Sequence, residues 1–203
     1  MMKNSALIIF QKNAELGKVK TRLAKDLGDQ EALAIYEKLC DFTHQVCSQL
    51  NVEKYVYYSS FVPDNKPQGP TYRMRLQSGE NLGDRMLNAF EDLFQSNFQK
   101  LIIIGTDCPE ISAELIQKAF DQLDSKDVVI GPAEDGGYYL LGMNKLIPSL
   151  FKGISWSSEM VFDQTKSIIE AKKLTYYLLP MLSDIDRLED WEKMKSLFTS
   201  TYE

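Results

Sequence analysis

Residues 100–109, Lys-Leu-Ile-Ile-Ile-Gly-Thr-Asp-Cys-Pro, form the stretch that decides the predicted fold. The apolar run Leu101 to Ile104, β-branched at three of its four positions, is typical of a strand that is covered on both faces inside a parallel sheet. The chain turns after this run, and Pro109 prevents the strand from continuing. We therefore predict a central strand that ends close to a carboxylate, Asp107.

Strands and helices alternate along the rest of the chain, which predicts a mostly parallel sheet covered by helices on both faces. Apolar runs predict further strands at 6–10, 54–59, 72–76, 127–131, 137–142 and 175–179. Helical spacing predicts helices at 29–50, 82–94, 113–123, 157–172 and 188–198, with 11–22 a polar loop. The expected fold class is α/β with three layers, α/β/α, and residues 1–203 are expected to form a single domain.

The overall charge limits the classes of partner. A net charge of −6 and a pI near 5.0 argue against binding to nucleic acid or to an anionic membrane surface. The three cysteines show no metal-binding spacing, and no apolar run approaches the length of about 20 residues that a membrane span needs. We expect a cytoplasmic protein with no membrane span and no nucleic-acid partner. The oligomeric state is left open.

Asp107 would lie at the carboxyl end of the central strand, the edge at which open α/β sheets bind ligands. Its carboxylate suits a hard divalent cation. The alternative is that Asp107 accepts backbone N–H bonds in the turn or caps the next helix. Ser112 is a better cap for a helix that begins near Ala113, which favours a metal or ligand role for Asp107.

The loop after the first strand is basic in an otherwise acidic chain. Its cations, opposed by Glu15 alone, are Lys12, Lys18, Lys20, Arg22 and Lys25. A diphosphate or triphosphate would satisfy such a cluster, because Arg binds phosphate bidentately and Lys acts as a mobile point charge. The alternative is an ordinary solvated, lysine-rich loop.

Several familiar catalytic motifs are excluded. The sequence contains neither G-x-G-x-x-G nor a P-loop. The first strand ends at Gln11-Lys12, where an aspartate-based phosphatase of this architecture would carry its nucleophile. The single histidine, His44, lies within a predicted helix, so no Ser-His or Cys-His nucleophile system can be built. Any chemistry therefore depends on carboxylates, a metal ion and cations.

The segment Glu134-Asp135-Gly136-Gly137 predicts a turn into the following strand. If Asp135 faces a cleft, it can take a proton from an acceptor hydroxyl or orient a second metal, and the glycines let the backbone approach a ligand. A plain turn has the same composition.

Two further segments allow both a structural and a functional interpretation. Asn81 can cap a helix, and Asp84 with Arg85 can either support that cap or reach a base, ribose or phosphate. Capping is slightly favoured. Trp156, which precedes two serines, can be a packing residue at a helix entry or a platform for an acceptor, and packing is the commoner role.

Together, these motifs resemble the bacterial transferase 1 family associated with radical-SAM and selenodomain proteins, a group provisionally classed as GT-A-like glycosyltransferases. The matching segments are Lys12 with Gly17-Lys18-Val19-Lys20-Thr21-Arg22-Leu23, Gly105-Thr106-Asp107-Cys108-Pro109, Gly131-Pro132-Ala133-Glu134-Asp135-Gly136-Gly137-Tyr138-Tyr139, Trp156-Ser157-Ser158, and Asp184-Ile185-Asp186 with Glu189-Asp190-Trp191. That family is similar to 2-phospholactate guanylyltransferase and to the molybdenum-cofactor nucleotidyltransferases. The resemblance implies the nucleotide-diphospho-sugar transferase fold.

The resemblance also implies roles for individual residues. The nucleotide would bind over the carboxyl edge of the sheet, with Mg²⁺ or Mn²⁺ on Asp107. The resemblance assigns phosphate oxygens to Lys20 and Arg22. With the basic loop and the segment after Asn81 included, the residues expected to bind the nucleotide and its phosphates are Lys12, Lys18, Lys20, Arg22, Asp84, Arg85 and Thr106. Asp135 would be the catalytic residue, and Gly136, Gly137 and Trp156 would lie on the acceptor side.

Two positions depart from the pattern. Ala14 stands where such loops usually carry proline, which leaves the loop less fixed. Gly105 stands where typical GT-A enzymes have the first acid of an Asp-x-Asp metal motif, so Asp107 lacks its usual partner. In related nucleotidyltransferases a late Asp can complete the metal site. Asp186 is the candidate here, and capping of the last helix is the alternative.

The sequence therefore predicts a metal-dependent transferase that uses an activated nucleotide. The first expectation is a glycosyltransferase that transfers sugar from a nucleotide-sugar to a small acceptor. One alternative is a nucleotidyltransferase that moves a nucleoside monophosphate from a nucleoside triphosphate to a small phosphorylated acceptor. A second alternative is a nucleotide-binding module without catalytic activity.

Overall fold

A computed structural model describes residues 4–64, 67 and 69–198. The strands are β1 (Ser5–Gln11), β2 (Glu53–Tyr58), β3 (Tyr72–Leu76), β4 (Lys100–Ile104), β5 (Val128–Pro132), β6 (Tyr138–Met143) and β7 (Tyr176–Leu178). They form one seven-stranded sheet in the order β3-β2-β1-β4-β6-β5-β7. Among these described strands, only β6 runs antiparallel to its neighbours. The predicted α/β class with a mostly parallel sheet is therefore confirmed.

The stretch that decided the prediction occupies the middle of this sheet. β4 pairs in parallel with β1 on one side and antiparallel with β6 on the other. Leu101 to Ile104 are at most 4% exposed, because apolar side chains cover both faces of the strand. The end of β4 therefore brings Asp107 to the edge where β1 also ends.

The helices cover both faces of the sheet. They are α1 (Thr21–Leu27), α2 (Asp29–Ser48), α3 (Leu82–Gln95), α4 (Ala113–Gln122), α5 (Val161–Ala171) and α6 (Leu188–Met194), with 3₁₀ helices at Pro148–Phe151 and Lys195–Phe198. Ser112 caps α4 as expected, because its Oγ accepts a hydrogen bond from the backbone N–H of Leu115 at 3.3 Å. No helix in the described ranges has the length and hydropathy of a bilayer-spanning segment.

Two of the predicted boundaries are wrong for identifiable reasons. The basic segment 11–22 is not loop throughout, because α1 begins at Thr21 and packs Leu23 against the distant Ile185. The helix predicted from residue 157 begins only at Val161. Ser157 adopts a left-handed φ of 62°, and the turn that contains it delays the helix.

His44 and the cysteines have structural positions, as expected. Cys40, Cys47 and Cys108 are buried free thiols. His44 Nε2 lies 2.7 Å from Gln11 Oε1, and burial lowers the pKa of His44 to about 4. A neutral, packed imidazole at this position offers no acid or base at the edge of β4.

Candidate functional site

A cleft of about 880 Å³ lies over the carboxyl ends of β1 and β4. It brings together most of the predicted site residues, namely Lys12, Lys18, Lys20, Arg22, Arg85, Thr106, Asp107, Asp135, Gly137, Trp156 and Asp186. Asp84 and Gly136 do not line it. The basic loop and the carboxylate after the central strand thus line the same cleft.

Lys20 and Asp107 form the central contact of the cleft. Lys20 Nζ lies 2.5 Å from Asp107 Oδ1 and donates to the carbonyl oxygen of Ile185, also at 2.5 Å. The side chain of Lys20 is only 6% exposed, whereas that of Asp107 is 47% exposed. Asp107 therefore has an ammonium partner and still presents part of its carboxylate to the cleft.

Ile185 joins the end of the chain to this contact through its backbone. Its N–H donates to the carbonyl oxygen of Asp107 at 3.0 Å, while its own carbonyl accepts from Lys20. The side chain of Ile185 is fully buried in the cluster that also contains Leu23. This anchor fixes the carboxylates on either side of it, Asp184 and Asp186, at the cleft.

Asp184 is a cleft residue that the sequence interpretation did not choose. Burial, followed by the charges of Asp107 and Asp135, raises its pKa to about 7. Lys20 opposes this shift, and Asp186 adds to it. The sequence Asp184-Ile185-Asp186 alternates acid, apolar residue and acid, and this pattern could have indicated that both acids face the cleft while Ile185 is buried. The prediction named Asp186 alone.

Asp186 has a partner of its own. Its Oδ2 accepts from Arg22 Nη1 at 2.6 Å, and both side chains are substantially exposed. The cap of α6 is built by another acid, Asp190, which accepts from the backbone N–H groups of Asp186 and Arg187. The capping alternative for Asp186 is therefore not the role it has here, and its metal role stays a prediction.

The cations of the cleft differ in how their charge is balanced. Lys18 pairs with Glu15 at 2.7 Å, and Lys20 and Arg22 pair with the acids described above. Within the described part of the chain, Lys12 and Arg85 form no salt bridge, and Arg85 donates only its Nε–H to the carbonyl of Gly79 at 3.2 Å. These two cations keep their charge available for an anion.

The donor set fits one hard divalent cation with few protein ligands. Among the described residues, no three His, Cys, Asp or Glu side chains are grouped so that they could hold a metal ion. Asp107 and Asp184 both line the cleft, and the charge of Asp107 acts on Asp184. Mg²⁺ is usually held by one or two carboxylates, with water and substrate phosphates as the remaining ligands. Two carboxylates in the cleft are consistent with this coordination.

The turn between β5 and β6 orients Asp135. Its Oδ1 accepts from the backbone N–H of Gly137 at 2.8 Å, and the residue faces the cleft. Gly136 has a φ of 85°, and a Cβ there would lie 2.1 Å from the carbonyl oxygen of Glu159. Gly136 is thus required for the packing of the turn against residue 159, while Gly137 lines the cleft.

A second group of side chains in the cleft is held mainly by packing. A Cβ at Gly83 would lie 2.2 Å from Trp156 Nε1, so the indole rests directly on the first turn of α3. Met86 and Tyr138 share the same apolar cluster, and Leu82 remains 42% exposed. We call Leu82, Arg85, Met86, Tyr138 and Trp156 the aromatic set, and Lys20, Arg22, Asp107, Asp184 and Asp186 the charged set.

Asp84 and Thr106 have contacts that explain their positions. Asn81 caps α3 by accepting from Asp84 N–H at 3.0 Å, and it donates to Asp84 Oδ2 at 2.7 Å, which is the favoured capping interpretation. Thr106 is buried next to Tyr36, whose hydroxyl donates to the carbonyl of Lys12 at 2.9 Å. Tyr36, which no sequence pattern singled out as a site residue, connects α2 to the basic loop.

Comparison with known proteins places this architecture in a family. The profile of a family described as "Uncharacterized protein conserved in bacteria (DUF2064)" matches residues 42–158. The chain belongs to the DUF2064 family. None of the curated protein sequences matches this DUF2064 chain significantly.

Solved structures show the same fold. A protein from Desulfovibrio desulfuricans G20, provisionally named a nucleotide-diphospho-sugar transferase, is 28% identical over 98% of both chains with a TM-score of 0.85. The 4-diphosphocytidyl-2C-methyl-D-erythritol synthase of Anaerococcus prevotii is 14% identical, with 97% of this chain and 96% of that chain covered and a TM-score of 0.61. CMP:2-keto-3-deoxy-manno-octonic acid synthetase in complex with CTP is 10% identical, with 98% and 99% covered and a TM-score of 0.58. The DUF2064 chain therefore has the fold of the nucleotide-diphospho-sugar transferases.

Proposed function

We propose that this protein is a metal-dependent transferase that uses an activated nucleotide. The observation that carries the proposal is the convergence of Lys20, Asp107 and Asp184 in one cleft at the ligand-binding edge of the sheet. Acids that can share a divalent cation meet there, and the same cleft contains Lys12 and Arg85, two cations whose charge is available for phosphate. The provisional name of the relative from D. desulfuricans supports the same class.

The first candidate reaction is transfer of a sugar from a nucleotide-sugar to a small acceptor. The bond between the sugar carbon and the phosphate oxygen breaks, and a bond to an acceptor oxygen forms while that oxygen loses its proton. In this proposal Asp135, whose Oδ1 accepts from Gly137 N–H, takes this proton. A divalent cation bound in the cleft would neutralise the negative charge that develops on the leaving phosphate.

We propose that the cations without an acid partner among the described residues are the first to bind the phosphates. Lys12 and Arg85 line the cleft and have their charge available, whereas Arg22 would have to leave Asp186 to bind an anion. We propose that Asp107 and Asp184 hold the divalent cation, Mg²⁺ or Mn²⁺. Asp186 either holds Arg22 in place through their ion pair or, as the sequence predicts, is a further ligand of the cation.

Nucleotidyl transfer is the second candidate reaction, and Gly105 is the observation that favours it. The residue two positions before Asp107 is Gly105, so the end of β4 lacks the Asp-x-Asp motif that typical GT-A enzymes carry there. The cytidylyl-type synthases share its fold. We also propose that the protein is related to the radical-SAM-associated transferases and to the guanylyltransferases. We propose a cytoplasmic location as well.

Product analysis distinguishes the candidates. The protein is incubated with Mg²⁺, a panel of nucleotide-sugars and the four nucleoside triphosphates, together with pooled small hydroxylated and phosphorylated acceptors. Release of a nucleoside diphosphate identifies glycosyl transfer, and release of pyrophosphate identifies nucleotidyl transfer. Binding without turnover of any donor would instead indicate a nucleotide-binding module.

Replacement of Asp107 by Asn tests the metal-binding part of the proposal. Asp107→Asn removes the charge that would hold the cation, so we expect nucleotide affinity in the presence of Mg²⁺ to fall about 100-fold. Isothermal titration calorimetry measures this change. Asp121→Asn, an exposed acid on α4 that does not line the cleft, is the matched control. An unchanged affinity for Asp107→Asn would refute the assignment.

A further inference from the structure

The ammonium group of Lys20 joins two segments that are distant in sequence. Its Nζ contacts Asp107 Oδ1 and the carbonyl oxygen of Ile185, both at 2.5 Å. At 6% exposure its side chain is almost fully enclosed. Lys20 therefore directs its charge at protein oxygens and presents little of its surface to a ligand in the cleft.

The backbone holds Lys20 in this position. Its φ of 46° is left-handed, a conformation that a residue other than glycine keeps only where its surroundings fix it. The flanking Val19 and Leu23 are buried, and the carbonyl of Lys20 accepts from Ala24 N–H at 2.8 Å where α1 begins. If the side chain turned away, the buried carbonyl of Ile185 would lose its donor, which is unfavourable.

The charged set is close to electrical balance without any added ion. Its acids are Asp107, Asp184 and Asp186, and its cations are Lys20 and Arg22. Three carboxylates against two cations leave one negative charge. The remaining charged residues of the cleft add none, because Lys12, Lys18 and Arg85 oppose Glu15, Asp135 and Glu159. This is a weak attraction for a divalent cation that must lose part of its hydration. Phosphate oxygens of a substrate would supply the missing negative charge.

We propose that Lys20 is a fixed counter-ion of the cleft, a positioning residue rather than a phosphate ligand, and that a divalent cation enters only together with substrate phosphates. The second half of this inference rests on the proposed function, since it requires a nucleotide substrate. The proposed role of Lys20 as a counter-ion does not depend on the substrate. This counter-ion role replaces the role of phosphate ligand that the family resemblance implies for Lys20.

Direct measurement of Mn²⁺ binding without nucleotide tests the role of Lys20. Electron paramagnetic resonance reports free Mn²⁺ during titration of the wild-type protein, Lys20→Met, and Lys25→Met, a control that removes a charge from the exposed end of α1. We expect very weak binding to the wild type and to Lys25→Met. Lys20→Met should bind Mn²⁺ at least about tenfold more tightly, because Asp107 is left without a counter-ion.

Two results would overturn the proposal. One is wild-type binding of Mn²⁺ alone as tight as that of Lys20→Met. The other is a loss of inorganic triphosphate affinity of about tenfold or more in Lys20→Met, which would make Lys20 a phosphate ligand.

Circular dichroism checks that each variant is folded. Lys20→Gln, which can still donate to the carbonyl of Ile185, takes the place of Lys20→Met if that variant is unfolded. It should show the same gain in Mn²⁺ affinity. If no nucleotide binds under any condition, the proposed function fails, but the Mn²⁺ comparison still decides the role of Lys20 because it uses no nucleotide.

Discussion

The charged set and the aromatic set line the same cleft but are stabilised in different ways. In the charged set, Lys20 and Arg22 each have a carboxylate partner within 2.6 Å. In the aromatic set, Trp156 is positioned by contact with Gly83, and Arg85 has no acid partner among the described residues. One part of the cleft is thus fixed by electrostatics before any ligand arrives. The other is fixed by shape and leaves a cation free for recognition.

The largest expected effect is on the free energy of unfolding, and it tests whether the cations of the charged set fully offset the charge of Asp184. The pKa of Asp184 is about 7 in the folded chain, against 3.8 for an ordinary aspartate. Between these pH values the folded chain binds more protons than the unfolded chain, so stability falls as the pH rises through this interval. With metal removed by chelation, we expect the loss attributable to Asp184 to be roughly 2–4 kcal/mol.

Urea denaturation of the wild type and of Asp184→Asn at a series of pH values measures this loss. Because Asn does not titrate, the difference in the free energy of unfolding between the two proteins should change across the interval and level off above about pH 7. A difference that is independent of pH would show that Lys20 and its neighbours already balance the charge of Asp184.

The sequence predicted the fold and the position of the cleft because both depend on local patterns. The apolar run of β4 and the turn after it identify a central strand from adjacent residues alone. The basic loop follows β1 directly, and Asp107 follows β4. Parallel pairing of the two strands is then sufficient to bring the loop and the carboxylate to one edge.

The pairing inside the cleft was not predicted, because it depends on contacts between distant segments. Lys20 and Ile185 are 165 positions apart, and nothing near Lys20 in sequence indicates that its ammonium is enclosed. The choice between Asp184 and Asp186 depends in the same way on how Ile185 docks beside the end of β4. Helix α1 was missed because Leu23 is buried by Ile35 and Leu39 of α2 and by the distant Ile185, contacts that its own segment does not indicate.

An intermediate effect tests whether the aromatic set is fixed by shape. Gly83→Ala would place a Cβ 2.2 Å from Trp156 Nε1, so the indole must move. We expect this overpacking to lower the free energy of unfolding by about 1–3 kcal/mol, although Ala normally favours a helix over Gly. Chemical denaturation followed by circular dichroism measures the loss.

Gly105→Ala is the control for this substitution, because a Cβ at Gly105 would have no atom of residues 4–64, 67 or 69–198 within 4 Å. Its stability should stay close to that of the wild type. Equal stability of the two variants would mean that Trp156 yields easily, and the contrast between a rigid aromatic set and a paired charged set would then be wrong.

The smallest expected effect compares a free cation with a paired one. Arg85→Met removes a guanidinium that has no acid partner in the described part of the chain, so we expect the affinity for nucleoside triphosphate to fall about tenfold. Arg22→Met removes a guanidinium whose charge Asp186 already offsets at 2.6 Å, and the expected loss is below about threefold. Calorimetric titration at one fixed ionic strength measures both, since salt screens exposed charges. A larger loss for Arg22→Met would mean that the phosphates displace Asp186 and bind the charged set directly. The pairing seen in the cleft would then be a state that the ligand must break.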